Sequence, residues 1–343
     1  MEKRKAIIYG IGKLYSEVKT KIYEVYDVVA KVDKNVSKQE AIISLDEAIA
    51  FFYDVIVISI ENIETCFEVI SILIEKYAIP SYKIELGMNL KIDKEDEYLE
   101  VSSDGGIVQK KGDLLVKSKN IDEFVNVRDI LKNRCYDFWS GRGQKIVIDI
   151  GMNVGGASLY FAKSNDVMKV YGFEPFPETF AQAEGNFELN PSIRERIEAY
   201  PYGISDTDEI RRIIYNKNMT CGQSTDAKAN LKARRNYKDW ELISKEDDME
   251  VEVEVKDIKN ILLKIYQIHK QEDMILKIDC EGEEYRIIER INECTLFGRI
   301  KVIMMEWHYD GNERILEILR ENQYMYCNFR EGNNGLIYAF KES

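Results

Sequence analysis

Apolar residues in this chain come in short bursts, each followed by a glycine or an acid and then by a run with helical spacing, and this rhythm occurs twice. In the first stretch Lys5–Tyr9 predicts a strand, Gly10-Ile11-Gly12 a turn and Lys13–Tyr26 a helix. Val28–Val32 predicts a second strand ending at Asp33. Ser44–Phe52 reads as a helix with Ser44 as N-cap and Glu47 completing a capping box, in which side chains and backbone N–H groups satisfy one another. Asp54–Ile60 is an uninterrupted apolar strand, and Glu61–Tyr77 is a long helix that Ala78-Ile79-Pro80 stops. Ser81–Leu86 supplies the last strand. Strands and helices alternating in this way predict a small parallel sheet covered on both faces across residues 1–87.

Residues 88–140 break the rhythm. Lys91–Tyr98 is charge-rich, turn residues surround short β-prone pieces such as Asp113–Val116, and Ile121–Tyr136 has a helical apolar stripe. This stretch reads as a linker plus a β and helical elaboration packed on the second α/β unit. That unit, residues 141–343, has strands at Ile146–Ile150, Lys169–Phe173, Ile197–Tyr202, Met274–Asp279 and Lys301–Glu306. Tyr324–Phe329 and Leu336–Phe340 are joined by Glu331-Gly332-Asn333-Asn334-Gly335, too short for a crossover helix, so they must form an antiparallel hairpin. Five parallel strands and a terminal hairpin is the order of a class I methyltransferase sheet, whereas a plain dinucleotide-binding fold has six parallel strands. Between 216 and 250 the chain is polar and charged with weak helical pieces, readable as a lid or an insertion.

The net charge of −13 repels nucleic acid and anionic membrane, so neither is expected as a partner. Small molecules and saccharides stay open, as does a homo-oligomer. The six cysteines (66, 135, 221, 280, 294 and 327) never space as CxxC, which fits a reduced, cytosolic chain with buried thiols. The apolar part of the N-terminus is too short for a signal peptide or a membrane span.

Candidate chemistry starts at Asp149-Ile150-Gly151-Met152-Asn153-Val154-Gly155-Gly156, which follows a strand and opens a helix. Gly151 and Gly155 let backbone approach a ligand closely. The helix start offers N–H groups and a positive dipole end suited to a carboxylate. Asp149 could hold an ammonium group, and Asn153 sits within the turn. Glu174, before Pro175, lies 23 residues after Gly151, where an acid grips ribose hydroxyls in nucleotide-binding βαβ units. Ser205 and Asp206 end the third strand's loop and could accept an adenine amine, although a plain solvated turn is an equal reading. The glycine spacing is not the Gly-x-Gly-x-x-Gly of nicotinamide or flavin folds. The combination points to S-adenosylmethionine, whose methionyl tail carries both a carboxylate and an ammonium.

The blocks IVIDIGMNVGGASLYFA, YGFEPFPETFAQAEGNFELN, ILKIDCEGEEYRII and VIMMEWH resemble the FkbM family of S-adenosylmethionine-dependent methyltransferases, from about Tyr136 to residue 340. Leu-Lys-Ile-Asp-x-Glu-Gly-x-Glu is the most telling of them. The resemblance implies O-methylation, often of sugars or natural-product hydroxyls, and with it polysaccharide biosynthesis as a setting. At Val255-Lys256-Asp257-Ile258, where relatives usually show Thr-Leu-Asp, only Asp257 matches. Residues 1–87 lie outside the family domain and resemble small Rossmann-like domains fused to sugar-modifying enzymes.

Methyl transfer needs alignment and removal of the hydroxyl proton. Asp279 and Glu281 follow the fourth strand and Glu306 and His308 the fifth, so four titratable groups could converge on one cleft at the strands' carboxyl ends. Asp279 is the favoured base, with Glu281 and His308 binding or orienting substrate. Two other readings exist. Glu281 and Glu306 could cap helices or pair with Lys277 and Arg286, or Asp279, Glu281 and Glu306 could hold Mg²⁺. A zinc site is not expected, because with only two histidines, His269 and His308, it would need a mixture of scattered ligands. In the N-terminal domain Tyr15 replaces the third glycine of a dinucleotide fingerprint, and Asp33 lies 21 residues after Gly12, where a ribose acid would be. Tyr15 disfavours an NAD-dependent oxidoreductase. A degenerate fold for assembly or for docking a sugar-nucleotide carrier is preferred, and a non-catalytic cofactor binder acting through this domain is the alternative to an enzyme.

Overall fold

The computed structural model describes residues 2–34, 42–92, 97–138, 142–217, 219–236 and 248–341. The chain divides into two compact units, Met1–Arg128 and Asp129–Ser343. Among the described residues no helix is long and apolar enough to cross a membrane.

The first unit runs β1 (Arg4–Tyr9), α1 (Lys13–Val25), β2 (Tyr26–Val32), β3 (Ile42–Ile43), α2 (Leu45–Ala48), β4 (Val55–Ile58), α3 (Ile63–Ser71), β5 (Ile84–Leu86), β6 (Glu97–Val101), β7 (Ile107–Lys111), β8 (Leu114–Ser118) and most of α4 (Ile121–Leu131), whose last three residues fall in the second unit. Its main sheet has the order β3-β2-β1-β4-β5, and every neighbouring pair is parallel, as the alternating pattern required. Ser44 and Glu47 form the capping box, but α2 stops at Ala48 rather than Phe52, because Phe51 and Phe52 are exposed and extend no buried face. The expected 61–77 helix is α3 followed by a π-helical turn, Ile72–Lys76. β6, β7 and β8 form an antiparallel sheet. This elaboration belongs to the first unit, not the second as the sequence suggested: Val101, Ile107 and Phe124 are buried with Ile70, Leu73 and Leu86. The charge-rich run before it lies partly outside the described residues, at 93–96. In the β1–α1 turn the Asp33 carboxylate accepts the Ile11 N–H (2.9 Å), so the acid placed to grip a ribose closes its own glycine turn.

The second unit contains β9 (Lys145–Ile150), α5 (Gly156–Lys163), β10 (Val167–Phe173), α6 (Pro177–Glu188), β11 (Ile197–Tyr200), β12 (Gly203–Ser205), β13 (Glu209–Asn216), α7 (Ala227–Asn236), β14 (Asp248–Asp257), α8 (Ile258–Ile268), β15 (Asp273–Ile278), α9 (Glu284–Asn292), β16 (Ile300–His308), α10 (Glu313–Glu321), β17 (Met325–Glu331) and β18 (Asn334–Phe340). The large sheet has the order β11-β10-β9-β15-β16-β18-β17. Its first five strands are parallel, and β18 runs antiparallel to both β16 and β17, as the short loop required. The polar stretch expected as a lid is in part a strand ribbon. β13 and β14 pair antiparallel, with β12 alongside β14, because Val251, Val253 and Val255 alternate with Glu250, Glu252 and Glu254. Residues 218 and 237–247 of that stretch lie outside the described residues.

Period-two alternation also sorts the central strands. Ile146, Ile148 and Ile150 of β9 and Met274, Leu276 and Ile278 of β15 pack with the apolar stripes of α8, α9 and α10. The intervening positions, Asp149 and Lys277 among them, therefore face the side that carries α5. In α9 alone Ile287, Ile288 and Ile291 are wholly buried, a gross stabilisation of about 5–9 kcal/mol at roughly 1.5–3 kcal/mol per side chain. The carboxyl ends of β10, β9, β15 and β16 thereby lie side by side on a rigid support.

Candidate functional site

The turn after β9 is held in one shape by backbone that few residues adopt. Gly151, Asn153 and Gly155 all have positive φ (73°, 50° and 83°). Gly151 also tolerates no side chain, since a Cβ there would sit 1.8 Å from the Asp279 carbonyl oxygen. The Gly151 and Met152 N–H groups both donate to the Phe173 carbonyl, which pins the turn to the end of β10. Gly155 is the N-cap of α5 and offers no side chain there, which leaves the helix start to backbone donors.

Glu174, at the end of β10, is buried and points back under this turn. One carboxylate oxygen accepts the Asn153 N–H (3.1 Å) and the other the Phe176 N–H (3.0 Å). Burial pushes its pKa up to about 7, against the two N–H donors and Lys277, which favour the charged form. Each carboxylate oxygen has two acceptor sites, so both can still take a hydroxyl from a bound ribose. Pro175 ends the strand as expected, and α6 begins with proline at Pro177.

Asp149 is placed differently from expectation. It is fully buried; its Oδ2 accepts the Ser158 hydroxyl (2.6 Å) and its Oδ1 lies 3.2 Å from Lys277 Nζ. It is therefore committed to the protein rather than open to a ligand ammonium. Lys277 is also buried and donates to the Gly151 carbonyl (2.6 Å), with Asp279 Oδ2 3.7 Å away and the Tyr136 ring beneath it at 5.6 Å. Burial works against its charge, but Asp149 and Asp279 overcome that and lift its pKa to about 12.

The sequence-predicted reacting residues do converge. Asp279 Oδ2 accepts the Tyr136 hydroxyl at 3.1 Å. The chain kinks after Asp279 through Glu281 and Gly282, whose φ values are 55° and 114°, and this turns the Glu281 side chain toward β16. There Glu281 accepts the Tyr309 hydroxyl (2.7 Å) and lies 3.6 Å from His308 Nε2. Glu306, more exposed, lies 3.5 Å from the same nitrogen. Burial raises the Glu281 pKa to about 7, with Asp279 adding to the rise and His308 opposing it. His308 itself is nearly buried, which lowers its pKa, yet Glu281 and Glu284 more than compensate and hold it well above the usual value. The alternative pairings do not form, for Lys277 pairs with Asp149 and Asp279, and Arg286 with Asp206 and Asp226. Among the described residues, the three side chains with ligand atoms within 4.8 Å of one another are Asp279, Glu281 and His308, not the trio with Glu306. That set could hold a cation, but its imidazole suits Mg²⁺ poorly, since Mg²⁺ favours oxygen ligands.

Sequence reasoning missed four residues here. Glu284 is wholly buried and takes four donors: the Gly282 N–H (2.7 Å), the His308 N–H (2.7 Å), His308 Nδ1 (3.1 Å) and the Cys280 thiol (3.7 Å). It ties the loops after β15 and β16 together and aims Nε2 at the acids. It was the last acid of the Glu-Gly-x-Glu block. Lys277 stands in the same block two residues before Asp279, but its register opposite Asp149 appears only in the folded sheet. Tyr309 directly follows His308, whereas Tyr136, more than a hundred residues from Asp279, gave no local signal.

Ser205 is buried and already engaged, whereas the Asp206 side chain stays largely exposed. The Ser205 hydroxyl donates to the buried Glu283 (2.5 Å) and accepts from Arg211 (3.0 Å), while Asp206 lies 4.0 Å from Arg286. Asp257 caps α8 by accepting the Lys259 N–H and pairs with Arg290 (2.6 Å), a structural role away from the reacting centre. The stretch between β13 and β14 reaches the site: the Asn153 amide donates to the Thr220 carbonyl (3.3 Å), and a Cβ on Gly282 would meet Ala229 Cβ at 2.5 Å.

Residues 149–326 match the methyltransferase FkbM domain, which is about half the chain and includes every site residue described above except Tyr136. Methyltransferase sdnD of Sordaria araneosa is 25% identical over 207 residues, covering 57% of this chain and 79% of that protein. Methyltransferase 1 of Beauveria bassiana is 23% identical over 173 residues, covering 50% of this chain and 68% of that one. Among solved structures, an FkbM methyltransferase from Methylobacillus flagellatus KT aligns with a TM-score of 0.37 at 11% identity, over 99% of this chain and 90% of that one.

Proposed function

The chain belongs to the FkbM methyltransferase family, and from that premise we propose that it moves a methyl group from S-adenosylmethionine to a hydroxyl oxygen of a sugar or saccharide. The observation that carries this reading is one of juxtaposition. A buried ribose-type acid, Glu174, and a glycine turn lie at the ends of β10 and β9, directly beside the Asp279, Glu281 and His308 cluster at the ends of β15 and β16. The donor's nucleoside fits the first pair and the acceptor hydroxyl the second.

When bound, the sulfonium supplies an already activated methyl group, which passes in line to the hydroxyl oxygen while its bond to sulfur breaks. The protein then has to position that hydroxyl and take its proton. Two features favour Glu281 over Asp279 as proton acceptor. Its pKa of about 7 suits a base working near neutrality. Asp279, by contrast, is already engaged within the protein, with the Lys277 ammonium 3.7 Å away and the Tyr136 hydroxyl donating to it at 3.1 Å. Asp279 is better suited to orient the hydroxyl. His308, kept cationic by Glu284 and the surrounding acids, can donate from Nε2 to an acceptor oxygen next to the reacting one. The cluster is acidic, so a neutral polyol fits it and a phosphorylated or carboxylated carbon beside the reacting hydroxyl does not.

The test is methyl transfer from isotope-labelled S-adenosylmethionine to a panel of neutral mono- and oligosaccharides, read by mass spectrometry, in parallel with calorimetry on S-adenosylhomocysteine. Transfer to a hydroxyl that Glu281→Gln abolishes is the expected result. Label on nitrogen or carbon only, or failure to bind S-adenosylhomocysteine, would sink the reading.

A further inference from the structure

Lys277 is a buried cation on a central strand of the large sheet. Its side chain is only 3% exposed, and a buried ammonium costs several kcal/mol unless it is well paired. Its partners all belong to the site. It faces Asp149 in direct register across the β9–β15 pair. It donates to the Gly151 carbonyl (2.6 Å) and lies 3.2 Å from Asp149 and 3.7 Å from Asp279. The turn it holds has no slack on the other side, because Gly151 already abuts the Asp279 carbonyl.

Strand order says which part of a ligand this affects. Glu174 stands at the end of β10, on one flank of β9, and Lys277 lies on β15, on the other. With the ribose at Glu174, the β9 turn and β15 are the next strand ends along the sheet, where the amino-acid end of the donor would be accommodated. We propose that Lys277 is the positioning residue for that amino-acid end, acting through the Gly151 carbonyl and the Asp149 carboxylate without touching the ligand. This rests on the S-adenosylmethionine reading above. Lys277 also faces Asp279, so one ammonium sets the donor turn and the acceptor-side acid together.

Two ligands separate this role from a merely structural one. S-adenosylhomocysteine carries the amino-acid tail, and 5′-methylthioadenosine keeps the nucleoside and thioether but lacks it. Both are titrated by calorimetry into wild-type protein, into Lys277→Arg and into the charge-neutral double variant Lys277→Met with Asp149→Asn. The double variant should bind 5′-methylthioadenosine within about twofold of wild type but S-adenosylhomocysteine about tenfold or more weakly, the scale of one lost charge-assisted contact. Lys277→Arg, which keeps the charge but carries a planar fork, should show the same selective loss and supplies the comparison if the double variant does not fold. Equal weakening of the two ligands, or no weakening of either, overturns the proposal. Wild-type protein that binds neither ligand overturns the cofactor reading and this inference with it.

Discussion

Binding of an adenine nucleoside should tighten as pH rises toward neutrality and then level off, and replacing Glu174 by glutamine should flatten that profile. The reason lies in the unliganded site, where burial raises the Glu174 pKa from 4.5 to about 7. Ribose hydroxyls donate to a carboxylate, so the ligand prefers the ionised form and must displace a proton at lower pH. Each pH unit below the free-state pKa then costs about 1.4 kcal/mol, a tenfold loss in affinity. Between pH 8 and pH 6 affinity should fall by about tenfold, and by roughly a hundredfold at pH 5 if the bound-state pKa lies below 5. Titrating with 5′-methylthioadenosine avoids ionisations of an amino-acid tail. Calorimetry in two buffers of different ionisation enthalpy should also register nearly one proton released per ligand bound at pH 6. Glu281 has a similar pKa of about 7, so the glutamine variant is the control that assigns the effect. A flat profile from pH 5 to pH 8 in the wild type, or an unaltered slope in Glu174→Gln, would refute the placement of the ribose on this carboxylate.

Asp279→Asn should reduce labelled-methyl turnover by at least about a hundredfold while leaving S-adenosylhomocysteine affinity within a few fold; wild-type rates would remove Asp279 from the mechanism. Glu284→Gln takes the charge away from a wholly buried acceptor opposite the His308 cation and should cost about 3–5 kcal/mol in urea unfolding, and a shift below about 1 kcal/mol would count against its keystone role. Glu174 and Glu281 both have pKa values raised to about 7 in the folded state, so their stabilising contribution is complete below the usual carboxylate value of 4.5 and is lost as pH climbs to 7. His308 is raised as well, so its contribution fades above 6.5 and the sign is the same. The unliganded protein should therefore show a higher urea midpoint at pH 5 than at pH 7.5, and the reverse order would mean that Glu174, Glu281 and His308 do not hold raised pKa values in the folded state. Turnover should survive exhaustive chelation; loss that added divalent cation restores would instead place a metal among Asp279, Glu281 and His308.

Much of the second unit was readable because its physics is local. Ile146–Ile150 and Met274–Ile278 are apolar at every position but Asp149 and Lys277, as strands buried on both faces should be, and Glu331–Gly335 leaves room only for a hairpin. Glu174 and the acids after β15 and β16 followed from the rule that ligands meet strand ends. What escaped depends on distance along the chain or on weak patterns. Tyr136 reaches Asp279 from a segment with no local mark of function. The β13–β14 ribbon hides in alternating Glu and Val that also reads as a polar, charged stretch. Asp149 looked like a ligand contact because the sequence shows its position but not Lys277 across the sheet. Ser205 was likewise claimed by partners, Glu283 and Arg211, that only the folded chain brings near.

Glu281 and Tyr309 both sit in the left-handed backbone region, at φ 55° and 71°, and they hydrogen-bond to each other. That conformation costs a non-glycine residue about 1–2 kcal/mol, and Glu281 also carries a burial penalty. A glycine at 281 would relieve both at once. Selecting variants of this protein for heat resistance alone should therefore enrich chains that fold better and no longer methylate, and any such campaign needs an activity gate at this position from its first round.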